Sequence, residues 1–479
     1  MNYRLLSRFL GIVVLLLGGS MFLSLPWAWR TSNGATVFER SAFLGMLGSM
    51  CVALGVGAVL LYTGRRATGQ LYRKEAMAIV GLSWILAAVL GALPFLLSGV
   101  YRDAQTRMSL TDAVFEAASG FSGTGATVIS ELEDPNLVPR TILFWRSETH
   151  FLGGLGIMVL FVAVLGQGSA GKALMLAEMP GPDQATRQSR VQHAAWAFTG
   201  IYLGLNVLLT TALLLQGMSF FDAICHSFGT IATGGFSNYN DSIAHFQSVS
   251  IEMTIALFMV LACTNFALLY LLIIGKPAQL TRDAEFRVYI TILALATLLL
   301  VVFGLHYQDF ASVGEAVRYG FFQVASILTN TGFATHNFDS WNEIGRGTLF
   351  LLMFVGGCAG STSCSIKIVR HILFLKIALI EIERAWHPTV VRTLRLGGKP
   401  IDDPSVRHNV LVYFGLILII FVGSWMLLDV LEPDEAWSAK GHARHEKLID
   451  CASGVGATIN GVGPGLGTIG AVENYGHFQ

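Results

Sequence analysis

Residues 111–128 read TDAVFEAASGFSGTGATV, and the same grammar returns three more times along the chain. It recurs as FDAICHSFGTIATGGFSN at 221–238, AVRYGFFQVASILTNTGFATHN at 316–337 and LIDCASGVGATINGVGPGLG at 448–467. Aligning Gly125, Gly234, Gly332 and Gly463 brings other features into register. Asp112, Asp222 and Asp450 fall twelve or thirteen residues upstream. An acid there suits the start of a short helix, capping free N–H groups and meeting the positive dipole end. The third stretch carries Arg318 and Tyr319 near that place instead. Thr124, Thr233 and Thr331 precede the shared glycine, and Val462 stands there in the fourth. The helices leading into the loops are about ten to fifteen residues long, too short to cross a bilayer. They read as re-entrant segments, because non-helical backbone at membrane depth is tolerated only where it is buried in protein or lines a wet cavity. Four such loops imply one shared central cavity. Four unrelated Gly-rich turns would not bring the acids and the Thr-Gly pairs into register.

The rest of the chain supplies the walls. Of 479 residues, 53% are hydrophobic and 13% charged, against about 25% charged in soluble proteins. Too few charges remain to coat a water-exposed surface. Apolar blocks fall at 9–27, 42–62, 76–97, 151–165, 194–215, 251–274, 288–303, 348–357 with its continuation, and 410–428. Several reach the roughly 20 residues that span a bilayer. An all-α polytopic membrane protein follows. The first block is too long for a cleavable signal and lacks a small-residue cleavage site, so it reads as a retained helix. Net charge is zero, which suggests neither nucleic acid nor an acidic substrate. Cys51, Cys225, Cys263, Cys358, Cys364 and Cys451 make no CxxC pair, and most sit in apolar blocks as small hydrophobes. A cytoplasmic N-terminus puts Arg4, Arg8, Arg65, Arg66, Arg73, Lys74, Lys172, Arg187, Arg190, Lys276, Arg282, Arg287 and the basic run from Arg370 to Arg407 inside. The outer segments then hold fewer basic residues, and 217–248 holds none, as the positive-inside rule requires.

A ring of Gly/Thr loops suits a dehydrated monovalent cation. Backbone carbonyls replace its water without full negative charge, so the ion binds and can still leave. Glycine permits the backbone angles that aim successive carbonyls at one axis. Helix C-termini directed at the cavity add partial negative charge. Glu116, Glu131, Glu133, Asp134 and Asp241 flank the first two loops. They read as a solvated acidic rim or as ion-steering groups.

These residues resemble the Trk/Ktr/HKT superfamily of potassium transporters, and within it the TrkH-type pore subunit. The segments that carry the resemblance are SGFSGTGATV, ATGGFSN, NTGFATHNFDSW, GVGPGLG and, at 354–370, FVGGCAGSTSCSIKIVR. The resemblance implies four pseudo-symmetric helix–pore-helix–helix repeats around one pore, preceded by two extra transmembrane helices. The leading helices would occupy 1–70 and the repeats 71–170, 190–277, 285–380 and 405–479. It assigns a potassium filter to Thr124, Gly125, Thr233, Gly234, Thr331, Gly332, Val462 and Gly463, and glycine at 125 favours potassium over sodium. It assigns an intramembrane gate to the small polar strip of Gly356, Gly357, Gly360, Ser361, Thr362, Ser363 and Ser365, followed by Lys367. Such residues are poor helix formers, although a small-residue strip also serves helix packing. Lys367 is either part of the gate or a snorkelling charge. The resemblance further implies potassium uptake across a bacterial inner membrane, a homodimer, and a cytoplasmic TrkA-type nucleotide-binding subunit. The chain has no GxGxxG or Walker loop between a strand and a helix, so a cofactor such as NAD or ATP/ADP is expected only on that partner. Only PGLGTIGAVENYGHFQ follows Gly463, with no room for the closing helix the resemblance implies. A shortened sequence explains that better than a pore lacking a wall.

Other readings have less support. Arg146, Glu148 and His150 in WRSETHF are ionisable groups near a spanning helix. An interfacial helix end accounts for them. A Na+/K+ or ion-coupled symporter is the alternative within the same class, since broken helices also build transporter sites. A membrane-embedded enzyme using His150, Glu148 or His226 lacks any nucleophile–base or HExxH spacing.

Overall fold

The computed structural model of the chain describes residues 1–32, 35–68, 72–165, 188–389, 392–397, 399–401, 404–434 and 444–478. The basic residues Lys172 and Arg187, used above for orientation, lie outside the described residues.

Helices dominate. In chain order they are α1 (Tyr3–Ser20), α2 (Arg40–Gly64), α3 (Arg73–Gly91), α4 (Leu93–Leu97), α5 (Leu110–Ser122), α6 (Arg140–Leu165), α7 (Gln188–Leu215), α8 (Phe220–Ile231), α9 (Val249–Ala262), α10 (Phe266–Ile273), α11 (Pro277–Arg282), α12 (Ala284–His306), α13 (Val313–Leu328), α14 (Glu343–Leu352), α15 (Ile368–Trp386), α16 (Pro404–Leu431) and α17 (Arg444–Asn460). Among the described residues, six helices are long and apolar enough to cross a membrane, or seven if the bent pair α9–α10 is one span.

The leading pair, α1 and α2, packs backbone to backbone. A Cβ on Gly11 would lie 2.7 Å from the Leu61 nitrogen, and one on Gly57 would lie 2.8 Å from the Leu15 side chain. Small residues allow this approach, which is how helices associate when lipid removes the hydrophobic drive between them. After α1 the chain tightens into a 3-10 turn, Met21–Ala28, that contains Pro26 and ends in a hairpin pairing Trp29 with Phe38. The largest buried cluster runs from α7 through α14 and includes Tyr202, Tyr289, Phe266, Phe322 and Phe333. A second cluster joins α1, α2 and α5 through Phe95, Phe121 and Trp145. By contrast only 6% of the most apolar window of α16 is covered by the chain.

The block 251–274 is expected as one span, but it breaks into α9 and α10 with a bend of 105°. The cause is local and tertiary at once. Asn265 turns its carboxamide back to accept from the Ala267 N–H, starting a new helix. The carbonyls freed at the break are taken by a distant loop: Cys358 N–H donates to Cys263 O and the Thr362 hydroxyl to Ala262 O. Phe266 N–H in turn donates to Gly360 O. A broken helix at membrane depth survives only when its polar groups are re-paired in this way.

Candidate ion-conduction site

Four short helices lead into the glycine loops: α5, α8, α13 and α17, of 13, 12, 16 and 17 residues. Their starts follow capping chemistry. The hydroxyls of Ser109, Ser219 and Ser312 accept from the N–H groups of Asp112, Asp222 and Glu315. An acid therefore occupies the third helical position in all three, where it meets the dipole. The third repeat does carry its acid, as Glu315; it falls further upstream because α13 is longer by about a turn. Asp450 is different again. It sits inside α17 and accepts from the Thr468 hydroxyl at 2.9 Å, tying down the loop beyond Gly463.

The four loops share one backbone signature. Positive φ occurs in pairs two residues apart: Gly123 and Gly125, Thr233 and Gly235, Asn330 and Gly332, Gly461 and Gly463. The second loop therefore corrects the alignment by one residue. Gly235, with φ 80°, stands where Gly125 (76°), Gly332 (79°) and Gly463 (96°) stand, and Gly234 matches Thr124, Thr331 and Val462. Contacts close the circle. A Cβ on Gly125 would strike the Gly234 carbonyl, one on Gly235 the Thr331 carbonyl, and one on Gly332 the Val462 carbonyl. On Gly463 it would come 2.7 Å from the Thr124 carbonyl. Thr124, Gly234, Thr331 and Val462 thus present four carbonyls in cyclic order, each against the glycine of a neighbouring loop. Thr233 sits one step below, with its hydroxyl on Ala232 O. On the far side of the ring a cavity is lined by Gly125, Gly235, Gly332, Gly463, Asn240 and Glu473. The missed signal was spacing: Gly235 lies thirteen residues after Asp222, as Gly125 does after Asp112 and Gly463 after Asp450.

Buried side chains brace the ring from behind. Glu116, expected at an acidic rim, is fully buried and accepts from Arg146 Nε at 2.7 Å and from the Thr127 hydroxyl at 2.9 Å. Arg146 continues to the Ser237 carbonyl at 3.1 Å and lies 4.1 Å over the Phe236 ring. Glu131, Glu133 and Asp134 are the exposed acids of that mouth. Arg146, Glu148 and His150 do not mark an interfacial helix end, since all three are buried. Glu148 accepts from Ser24 at 2.6 Å, on the side of α6 that meets the leading helices. His226 is engaged at both ring nitrogens, by Asp222 O and by the Ser237 hydroxyl. Between the third and fourth loops, Asp339 accepts from Gly467 N–H at 2.8 Å. Burial raises the Asp339 carboxyl to about 6. Tyr475 donates its hydroxyl to Gly463 O at 2.7 Å while its N–H reaches Thr127 O.

On the opposite side of the ring, at the C-terminal ends of the short helices, lies the segment between α14 and α15. Ser363 donates to Asn330 Oδ1 at 2.7 Å and accepts from Gly357 N–H at 2.8 Å. Ser365 donates to Asn460 Oδ1 at 3.0 Å, and the Cys364 thiol to Ser122 O at 3.2 Å. Ser361 closes a turn onto Cys358 O, and Gly356 N–H donates to Ile366 O. Gly360 takes the left-handed conformation at φ 72°. Lys367 is buried and donates to the Ser363 carbonyl, so it points into the loop and does not snorkel to water. The strip touches the ends of three of the four short helices and the α9–α10 break.

Residues 46–474 match the family described as TrkH, cation transport protein. The chain belongs to that family. It is 33% identical over 477 residues to the Trk system potassium uptake protein TrkH of Salmonella typhimurium, covering 98% of this chain and 92% of the relative. To the Trk system potassium uptake protein TrkG of Escherichia coli it is 32% identical over 435 residues, covering 90% and 84%. The crystal structure of the potassium transporter TrkH from Vibrio parahaemolyticus superposes with a TM-score of 0.83 at 31% identity, covering 99% of this chain and 93% of that one. With its apolar helices, family membership makes the chain a membrane protein.

Proposed function

We propose that this chain is the pore subunit of a potassium uptake system in a bacterial inner membrane. The observation that carries the reading is the closed circle of four carbonyls at Thr124, Gly234, Thr331 and Val462, each packed on a glycine of the next loop. Rigid carbonyls at one axis can replace a cation's hydration shell, and no carboxylate within the ring binds the ion too tightly to leave. Four helix C-termini converge below it. The architecture is then two leading helices in 1–70 and four pseudo-symmetric repeats at 71–170, 190–277, 285–380 and 405–479 around one pore. Both the naming of the relatives as potassium uptake proteins and glycine at 125 support potassium.

The strip 356–365, with Lys367, acts in this reading as the gate. It stands across the path below the ring, and an ammonium there opposes a passing cation. A cytoplasmic nucleotide-binding subunit would move it, docking near the exposed basic residues Lys376, Arg392 and Arg395. The N-terminus is cytoplasmic and the assembly a homodimer, with nucleotide held by the partner alone. Influx of K+, Rb+ and Na+ into proteoliposomes tests the reading. Uptake of K+ and Rb+ well above Na+ is expected, and vesicles no leakier than protein-free controls would overturn it.

A further inference from the structure

Of the seams between adjacent filter loops, the one between the first and second is built differently. The others are closed by groups on the loops or the segments beside them: Ser242 on Ala334 N–H, Asp339 on Gly467 N–H, and Tyr475 on Gly463 O. The first seam has such a bond too, from Leu132 N–H to Asn240 Oδ1 at 3.1 Å, but it is also bridged by two side chains of α6. Arg146 and His150 sit one turn apart on α6 and face the same way. His150 has no exposed surface. One ring nitrogen, Nδ1, lies 2.8 Å from Gly120 O, at the end of the first short helix. The other, Nε2, accepts from Phe236 N–H at 3.1 Å, in the second loop. An acceptor nitrogen carries no proton, so the ring is neutral with its hydrogen on Nδ1, donated to Gly120 O.

The imidazole also lies flat against the one ring member that is a bare glycine on that side. A Cβ on Gly234 would overlap the His150 ring, and the Gly234 carbonyl is the oxygen that packs on Gly125. The Phe236 ring lies against the imidazole at 4.2 Å between centroids, tilted by 35°. Backbone at 234–236 is therefore fixed from one side by a group anchored to the first helix. Displacing the imidazole moves a carbonyl of the ring.

We infer that His150 is a positioning residue for ion selectivity: it sets the place of the Gly234 carbonyl by bridging Gly120 and Phe236 across the first seam. It touches no ion itself. This rests on the potassium reading above. Loss of the bridge leaves the buried Phe236 N–H unpaired, takes one of two donors from Gly120 O, and frees the loop to fit a smaller cation.

The test uses the whole chain in proteoliposomes. His150→Phe keeps an aromatic ring but removes both bonds, and the K+/Na+ flux ratio is expected to fall roughly tenfold. His150→Gln keeps an acceptor and a donor and is expected to hold the ratio close to wild type. A folded His150→Phe with an unchanged ratio overturns the inference, as does His150→Gln behaving like His150→Phe. Should His150→Phe not fold, nitrogen NMR of histidine-labelled wild type, assigned by difference against His150→Gln, decides. A neutral ring protonated at Nδ1 is expected, and an Nε2–H tautomer or an imidazolium overturns the bridge. Wild-type vesicles that pass no cation would overturn the potassium reading itself, whatever the NMR shows.

Discussion

The carbonyl ring and the strip at 356–365 are both glycine-rich, but they meet their neighbours differently. In the ring, backbone meets backbone: the α-carbons of Gly125, Gly235, Gly332 and Gly463 stand against carbonyls of neighbouring loops with no room for a methyl group. The strip also has backbone bonds to the α9–α10 break, but it meets the ends of the short helices through side-chain bonds, from Ser363 to Asn330, Ser365 to Asn460 and Cys364 to Ser122. Packed interiors have few alternative arrangements, whereas a hydrogen bond of about 1 kcal/mol net can be exchanged for another. The difference teaches where rigidity is required and where movement is permitted.

The largest effect is expected at the ring. Gly235→Ala should abolish measurable K+ flux, because a left-handed backbone penalises a Cβ by about 1–2 kcal/mol and the methyl also overlaps the Thr331 carbonyl. Gly234→Ala lacks the left-handed backbone, meets first the His150 side chain and should lose less. Flux through the pair, measured side by side, would return the register to Gly234 if the order were reversed.

Next come the braces. Glu116→Gln or Arg146→Met leaves one charge buried without its partner, which costs about 3–5 kcal/mol. Replacing both with apolar residues should recover much of that loss. Thermal unfolding in detergent checks it, and additive single losses would show that the pair is not coupled.

The strip should respond in the other direction. Ser363→Ala removes the bonds to Asn330 and Gly357, about 1 kcal/mol each, and is expected to raise basal flux severalfold without altering the K+/Na+ ratio. A fall in flux, or a changed ratio, would mean that the strip belongs to the filter.

The smallest effect concerns Asp339, whose carboxyl is raised to about 6 from 3.8 by burial. Between those values the folded chain holds a proton that the unfolded chain has lost. The contribution of this group to stability therefore declines as pH rises through that window and levels off above it. Asp339→Asn should flatten that decline in a series of melting curves between about pH 4 and 7.

Much of this was legible in the sequence. The four loops, the short helices leading into them and the interrupted stretch at 356–365 all announce themselves by local composition, whereas the serine caps emerged only with the structure. The break between α9 and α10 was missed because 251–274 is apolar throughout, although Thr264 and Asn265 inside it are a helix-start signal. The Glu116–Arg146 pair was missed for another reason: the partners are 30 residues apart, and Arg146 reaches Ser237 across 91.

The sequence by itself determined that the chain spans a membrane and that four glycine loops share one fate, because apolar length, capping residues and positive-φ glycines act within a few residues of themselves. Tertiary structure alone decided which carbonyls form the ring, and that buried ions and a neutral histidine hold the ring in place. Those facts depend on atoms brought together from distant segments, and no local pattern records where a remote donor or carboxylate will lie.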